Sequence, residues 1–437
     1  MAVAEVRLWD TRIGAVLLGD NERVASFEYD PDFVTSSIEL APLQMPLVTG
    51  RRYRFPGLNR NSFHGLPGML ADALPDRYGH ALIDAWLASQ GRAPGSADAV
   101  ERLCYIGTRG TGALEFHPAR GPAAPGAHEL DIASLVQLAN DVLADRAKLV
   151  ASLAKGEREQ AMRDILSVGT SAGGARAKAL IAYNPATEQV RSGQLALAAG
   201  FEHWLLKFDG VTGDSSREVL TDPQGYGAIE LAYAHMAAAA GIHMTECRLL
   251  EENGRRHFMT RRFDRDKQGE KLHMQSLAAL AHLDFTQPGA HSYEQAFQVI
   301  RALGLGADAA EAQYRRMVFN VVARNQDDHV KNIAFLMDTR GSWSLSPAFD
   351  VAYAYNPSGD WTATHQMSIA GKRDDFTRED FDQVGRLAGL KRGAAKRILD
   401  EIISVVSDWP GFAANVDVEA DPIRRITPTH RLNFADR

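Results

Sequence analysis

Three oxygen-bearing side chains stand in an order that could transfer a phosphoryl group. Asp327 and Asn332 are five positions apart in a polar stretch, and Asp350 follows after a predicted hairpin at residues 333–345. Phosphoryl transfer needs a carboxylate that orients the attacking hydroxyl and accepts its proton, and oxygen ligands that hold Mg²⁺. The order of loop, hairpin and acid therefore predicts Asp327 as catalytic base and Asn332 and Asp350 as magnesium ligands. The alternative is that these acids, with Asp328, cap turns.

Two upstream segments could contact nucleotide phosphates. Residues 167–178 (Ser-Val-Gly-Thr-Ser-Ala-Gly-Gly-Ala-Arg-Ala-Lys) form a small-residue loop whose backbone N–H groups could approach an anion, although a surface loop would have the same composition. Lys207 stands in an apolar predicted strand, where its charge needs a partner. We expect it to contact the α- and β-phosphates, positioned by Glu230; the alternative is an edge-strand lysine that points to solvent. His329 could touch phosphates or have a structural role.

The elements that must position these residues follow from the apolar pattern. Strands are predicted in the first thirty residues at 6–9, 14–18 and 24–29. A helix is predicted over 78–90, and the Gly- and Pro-rich residues 120–127 predict a linker. Further strands are predicted at 179–183, 204–208, 248–251 and 257–260, with a helix over 227–240 that ends at Gly241.

From residue 272 the pattern becomes helical, apart from the hairpin. The predicted helices are 290–304, 309–324, 377–388 and 392–407. The chain is therefore assigned to the α+β class. We predict an N-terminal α+β subdomain (1–125), an α+β subdomain with the phosphate loop (126–265) and a mainly helical C-terminal lobe with the catalytic loop (266–437).

Composition limits the possible functions. The 437 residues carry 55 acidic against 48 basic side chains, a net charge of −7, which argues against a dedicated nucleic-acid binder. The two cysteines exclude a disulfide framework and a cysteine-rich metal site. No stretch reads as a signal peptide or a membrane span, so the sequence predicts a soluble cytoplasmic protein.

Over most of its length the chain resembles the HipA family, the kinase toxins of bacterial toxin–antitoxin modules. The motifs that carry the resemblance are Leu74-Pro-Asp76, Tyr105-Ile-Gly-Thr-Arg-Gly-Thr-Gly-Ala-Leu, Ser171-Ala-Gly-Gly-Ala-Arg-Ala-Lys178, Arg262-Phe-Asp-Arg265 and Asn325-x-Asp-x-His-x-Lys-Asn332. The third departs from the family, which often has Gln-Glu before the lysine where this chain has Arg176-Ala177.

The resemblance implies a divergent, two-lobed protein-kinase-like fold with an added N-terminal subdomain, and ATP and Mg²⁺ as cofactors. It implies autophosphorylation of Ser171, with Thr170 as the open alternative. A dianionic phosphoserine could not share the phosphate loop with ATP, so the modification would switch the kinase off. The residues expected to bind the nucleotide are Ser171, Gly173, Gly174, Lys178, Lys207, Gln275, His329 and Lys331.

The resemblance also implies partners. These are a HipB-like helix-turn-helix antitoxin, operator DNA bound through that antitoxin, and a protein substrate such as an aminoacyl-tRNA synthetase. Two other functions stay open at this point. One is a small-molecule kinase that acts on an antibiotic or a sugar, and the other is a non-catalytic corepressor that only binds an antitoxin.

Overall fold

The computed structural model describes residues 1–121, 129–144, 163–166, 168, 176–193, 198–211, 225–266 and 268–436. The chain forms two compact units. The first comprises Met1–Gln224, Leu250–Met274 and Met337–Ser342, and the second comprises Gly225–Leu249, Gln275–Leu336 and Trp343–Arg437. The division into three parts (1–125, 126–265 and 266–437) stays a prediction.

An antiparallel sheet opens the first unit. Its strands are β1 (Ala2–Leu8), β2 (Thr11–Leu18), β3 (Ser26–Tyr29), β4 (Arg52–Tyr53) and β5 (Leu114–His117), in the order β4-β3-β2-β1-β5. Alternate residues of β1 are buried, as a strand with one face on a core requires. The helices that go with this part are α1 (Pro31–Val34), α2 (Arg60–Phe63), α3 (Gly68–Ala71), α4 (Arg77–Ser89), α5 (Ala99–Ile106) and α6 (Ile132–Ala144).

A second antiparallel sheet contains the strand that carries Lys207. Its strands are β6 (Lys178–Tyr183), β7 (Val190–Ser192), β8 (Glu202–Lys207), β9 (Cys247–Glu252) and β10 (Arg255–Arg261), in the order β7-β6-β8-β10-β9. Trp204 and Leu206 of β8 are fully buried and pack in one core with apolar residues of α4 and α6. Each such side chain contributes about 1.5–3 kcal/mol through burial, so this core fixes the register of β8.

The second unit is mainly helical. Its helices are α7 (Tyr226–Ala239), α8 (Leu277–Ala281), α9 (Tyr293–Ala302), α10 (Ala307–Val322), α11 (Arg378–Leu387), α12 (Ala394–Ser407), α13 (Trp409–Ala414) and α14 (Ala420–Ile426). Short strands join them: β11 (His273–Ser276), β13 (Ala334–Met337) and β14 (Trp343–Leu345) form one sheet in that order, and β12 (His291–Ser292) pairs in parallel with β15 (Met367–Ser368).

The predicted elements that fall within the described residues are confirmed, with ends that shift by a few residues. Gly241 follows α7 with a φ of +76°, the left-handed conformation expected of a glycine after a helix. The predicted linker lies mostly outside the described residues. Several short elements were missed, among them α5, α8 and the strands β11, β12 and β15. Among the described residues, no helix is long and apolar enough to cross a membrane.

Candidate active site

The predicted catalytic loop connects α10 to β13 and is tied to the chain that follows Asp350. Gln326 N–H donates to Ala354 O at 3.1 Å, and Ala354 N–H donates to Arg324 O at 3.1 Å. The side-chain amide of Asn325 donates to Asn320 Oδ1 at 3.0 Å and lies 3.5 Å from Asp350 O. These bonds hold the start of the loop beside Asp350, so the structure brings the two predicted parts of the site together.

Asp327 is the most accessible carboxylate of this loop. Its Oδ1 accepts a hydrogen bond from Trp361 Nε1 at 2.7 Å and lies 3.8 Å from His329 Nε2, while 41% of the side chain is exposed. Desolvation by the surrounding protein raises the pKa of Asp327; His329 and the indole N–H oppose this shift, and the negative charges of Asp350 and Asp328 add to it. A carboxylate that is half-buried, still accessible and more basic than usual suits a general base.

Asn332 and Asp350 are the two predicted magnesium ligands. Asn332 Nδ2 donates to Asp327 O at 2.8 Å, which leaves the Oδ1 of the same amide as its acceptor atom. Asp350 has a φ of +52°, a left-handed conformation that is costly for a residue with a side chain and that accumulates at functional sites. An amide and a carboxylate oxygen are the hard ligands that Mg²⁺ prefers.

Asp328, the next residue, faces the interior and is 3% exposed. Its Oδ2 accepts hydrogen bonds from Tyr293 Oη at 2.7 Å and from His365 Nδ1 at 2.8 Å, and its Oδ1 accepts one from Gln366 N–H at 2.7 Å. Burial alone would raise the pKa of Asp328, but His365 and the other two donors lower it below the usual aspartate range. From the sequence Asp328 is predicted only as a turn cap, whereas these three hydrogen bonds make it the anchor of the loop.

The protonation of His365 follows from its partners. Arg431 Nη1 donates to His365 Nε2 at 2.9 Å, and a guanidinium can only donate. The Nε2 atom must therefore accept, so the proton of the neutral ring sits on Nδ1 and points at Asp328. Asp328 is thereby held as an ionised acceptor of three donors. In the sequence only the adjacent pair Asp327-Asp328 could have indicated this anchor, because the hydrogen-bond partners of Asp328 are 35 to 38 residues away.

His329 and Lys331 lie on the side of the loop near Phe285. The Nζ atom of Lys331 is 4.6 Å from the centre of the Phe285 ring, and the His329 ring centre is 6.1 Å from it. Gln275, also predicted to bind nucleotide, is fully buried in β11. Glu230 is 2% exposed on α7 of the second unit, and Lys207 belongs to the first, so their pairing stays a prediction.

Two of the three lysines predicted to bind the nucleotide are neighbours in the first unit. Lys178 and Lys207 are directly opposite in the β6–β8 pairing. Lys207 ends a central strand, paired on both sides, so the alternative of an edge-strand lysine is wrong. Its Nζ lies 5.6 Å from the centre of the Phe258 ring. Lys178 is 3% exposed and its Nζ lies 3.5 Å from Asp76 Oδ2, in an ion pair that the sequence did not predict.

The rest of the predicted phosphate loop lies outside the described residues, so the roles of its members stay predictions. These members are Thr170, Ser171, Gly173 and Gly174.

Two of the motifs quoted above meet within the first unit. Asp264 is fully buried and accepts from Arg262 Nη2 at 2.7 Å, from Arg265 Nη1 at 2.9 Å and from Gly112 N–H at 2.7 Å. Burial alone would raise the pKa of Asp264, but the two guanidinium groups hold it well below its usual range. Gly112 has a φ of +74°, and an added Cβ would lie 3.0 Å from Met274 N. The two motifs therefore stabilise the fold around this carboxylate.

Comparison with known proteins gives two family matches. A family profile described as the HipA-like C-terminal domain matches residues 170–409, and one described as the HipA N-terminal domain matches residues 4–117. No curated protein matches the chain.

Two solved structures are similar to the chain. One is HipA of Shewanella oneidensis MR-1, solved with HipB and its operator DNA: the TM-score is 0.68, the identity 17%, and the match covers 97% of this chain and 95% of that one. This likeness confirms the predicted α+β fold class. The other is the proinflammatory kinase CtkA of Helicobacter pylori, with a TM-score of 0.35, 12% identity, and coverage of 52% and 84%. A likeness this low supports no argument.

Proposed function

Since the chain belongs to the HipA family, we propose that it is an ATP- and Mg²⁺-dependent serine/threonine protein kinase that acts as the toxin of a HipA–HipB-like module. One observation carries the proposal: Asp327 is an accessible carboxylate with one oxygen held by an indole, and its backbone carbonyl is bonded to Asn332. This is the arrangement expected of a base that meets a substrate hydroxyl beside a metal ligand.

In this proposal each residue of the second-unit site has a distinct task. Asp327 orients the attacking hydroxyl and accepts its proton, and Asn332 and Asp350 would hold Mg²⁺, which when bound neutralises charge on the phosphates. The oxygen donors fit that ion. Among the described residues no group of three or more His, Cys, Asp or Glu side chains could hold a metal. In proteins Mg²⁺ is usually held by one or two carboxylates together with nucleotide phosphates and water.

The remaining parts of the proposal rest on the family. Lys207 would contact the α- and β-phosphates, helped by Glu230, and Lys178, Gln275, His329 and Lys331 would complete the nucleotide site. Ser171 would be autophosphorylated, and the phosphoserine would switch the kinase off because it could not share the phosphate loop with ATP. The partner would be a HipB-like antitoxin that binds operator DNA, as HipB does in the Shewanella complex. An aminoacyl-tRNA synthetase is the proposed class of substrate, in the cytoplasm.

The test is incorporation of labelled phosphate from Mg²⁺-ATP into the purified chain. Asp327→Asn should reduce self-labelling by roughly 10²–10⁴-fold, because the base is lost while the side-chain shape is kept. Asp308→Asn, at an exposed position in the first turn of α10, is the matched control and should label normally. Ser171→Ala should lose most self-labelling but still label an added substrate protein.

Three results would contradict the proposal. Asp327→Asn that labels at the wild-type rate would exclude this carboxylate as the base. Wild-type protein that labels neither itself nor an aminoacyl-tRNA synthetase, but rapidly phosphorylates kanamycin or a sugar, would make the chain a small-molecule kinase. Absence of any transfer, with antitoxin binding retained, would leave the corepressor.

A further inference from the structure

The side chain of Trp361 makes a direct contact with the catalytic loop. Its indole N–H donates to Asp327 Oδ1 at 2.7 Å, and the same oxygen lies 3.8 Å from His329 Nε2. Among the described residues none donates a hydrogen bond to Oδ2 of this carboxylate. One oxygen is therefore engaged and the other is available in a side chain that is 41% exposed.

We propose that Trp361 is the positioning residue of the catalytic carboxylate: it fixes Oδ1 of Asp327 so that Oδ2 faces the substrate hydroxyl. This inference rests on the proposed function and deepens it. An indole N–H suits the task because it is a donor only. It can stabilise the ionised carboxylate, yet it offers no lone pair that would compete for the substrate proton.

The turn that carries Trp361 is held in place by short-range bonds. Asn356 N–H donates to Thr362 O at 3.3 Å, and Gly359 N–H donates to Asn356 O at 3.1 Å. The side chain of Asn356 accepts from Ser358 N–H at 3.2 Å and from Ser358 Oγ at 3.1 Å. A turn closed by four such bonds can present its indole in one direction.

Gln366 connects Trp361 to Asp328, the neighbour of Asp327. The side-chain amide of Gln366 donates to Trp361 O, and Gln366 N–H donates to Asp328 Oδ1 at 2.7 Å. Three hydrogen bonds join Asp327 to Trp361, Trp361 to Gln366 and Gln366 to Asp328, and the peptide bond between Asp327 and Asp328 closes the ring. Because Asp328 is buried and has three donors, it anchors the ring, and Trp361 transmits that anchoring to the exposed carboxylate.

The variant that isolates the hydrogen bond is Trp361→Phe, which keeps an aromatic ring and removes the N–H. We expect the maximal rate of self-labelling to fall about 10–100-fold, since a displacement of about 1 Å at a reacting group has an effect of that order. The half-saturating ATP concentration should change less than about twofold, because the nucleotide contacts are untouched.

Trp9→Phe is the matched control, because it removes another indole hydrogen bond of similar length, Trp9 Nε1 to Lys271 O at 2.6 Å, in the first unit. It should label at the wild-type rate. If Trp361→Phe also labels at that rate, or raises the half-saturating ATP concentration at an unchanged maximal rate, the inference is overturned and the proposed function survives. Inactive wild-type protein would instead overturn the proposed function.

A readout that does not depend on activity tests the contact in solution. The chain has six tryptophans, so ¹⁵N-labelled indole groups should give six resolved signals, and Trp361→Phe assigns the one that disappears. In Asp327→Ala this signal should move upfield because the carboxylate acceptor is gone. An unmoved signal would show that the indole does not donate to Asp327, and would overturn the inference even if Trp361→Phe were too unstable for kinetics.

Discussion

Replacing Asp328 by asparagine should destabilise the second unit strongly, whereas the same change at the adjacent Asp327 should not. The two substitutions are chemically identical and one position apart. Asp328 is 3% exposed and accepts three hydrogen bonds, while the Asp327 side chain is 41% exposed and accepts one, from an indole. The comparison therefore separates the effect of a buried anchor from that of a functional carboxylate.

The magnitude follows from the donors around Asp328. Asparagine supplies only one accepting oxygen, and its N–H groups must face either the Gln366 N–H or the pair formed by Tyr293 and His365. Tyr293 can rotate its hydroxyl, but His365 cannot change tautomer, because its Nε2 accepts from Arg431. The variant loses a buried charged acceptor, and one N–H of the asparagine faces another hydrogen-bond donor. Together these changes should lower the free energy of unfolding by about 3–5 kcal/mol. The single indole bond of Asp327 is worth about 0.5–1.5 kcal/mol.

The assay is urea unfolding followed by circular dichroism, because helices dominate the second unit. The transition of Asp328→Asn should move to a lower urea concentration by the equivalent of at least about 3 kcal/mol, and that of Asp327→Asn by less than about 1.5 kcal/mol. Equal and small shifts for both variants would refute the anchor. A large shift for Asp327→Asn alone would refute the assignment of the two acids.

Three further predictions address other groups. Tyr293→Phe removes one donor to Asp328 but leaves the hydrogen bonds from His365 Nδ1 and Gln366 N–H, so it should cost about 1.5–3 kcal/mol in the same urea assay. Lys178→Met should cost about 3–5 kcal/mol, and much less when Asp76 is changed to Asn in the same molecule, a coupling that a double-mutant cycle measures; additive costs would contradict the buried pair. His257 accepts from Asp209 N–H through Nδ1 and is fully buried, and burial lowers its pKa to about 4. Its contribution to stability is therefore complete above the unfolded pKa of about 6.5 and is lost as the pH falls towards 4, by about 1.4 kcal/mol at about pH 5.5. His257→Asn should lose that much less stability on acidification, whereas the variant of exposed His235 should behave as the wild type.

The sequence predicted the elements around the loop of Asp327 well because its information is local. An amphipathic helix, a polar loop, a hairpin and an acid follow one another over residues 309–350, and each is visible in the type and spacing of neighbouring residues. The structure places α10, β13 and β14 where the pattern put them. The sequence also predicts Lys207 in a strand, and a lysine in an apolar strand indicates a charge that needs a partner.

The partners of these residues were not predictable, because hydrogen bonds between distant residues leave no periodic signal. Trp361 is 34 positions from Asp327, and Gly112 is 152 positions from Asp264. Asp76 and Lys178 form their ion pair across a comparable gap. Each of these residues looks ordinary in its own segment, as a turn, a helix cap or a strand end. Only the tertiary fold shows that its polar group lies beside another.

The tandem acids show how one position of sequence separates stability from chemistry. The side chain of Asp328 points inward to three donors, and that of Asp327 points outward. The carboxylate of Asp328 is therefore fixed by burial, whereas that of Asp327 can receive a substrate. Through Gln366 and Trp361 the buried acid also constrains the exposed one. A variant of Asp328 that still folds should therefore lose transfer activity as well as stability, whereas a variant of Asp327 should lose activity alone. Exchanging the two acids for asparagine one at a time tests that asymmetry directly, because no other feature of the loop differs between the two proteins.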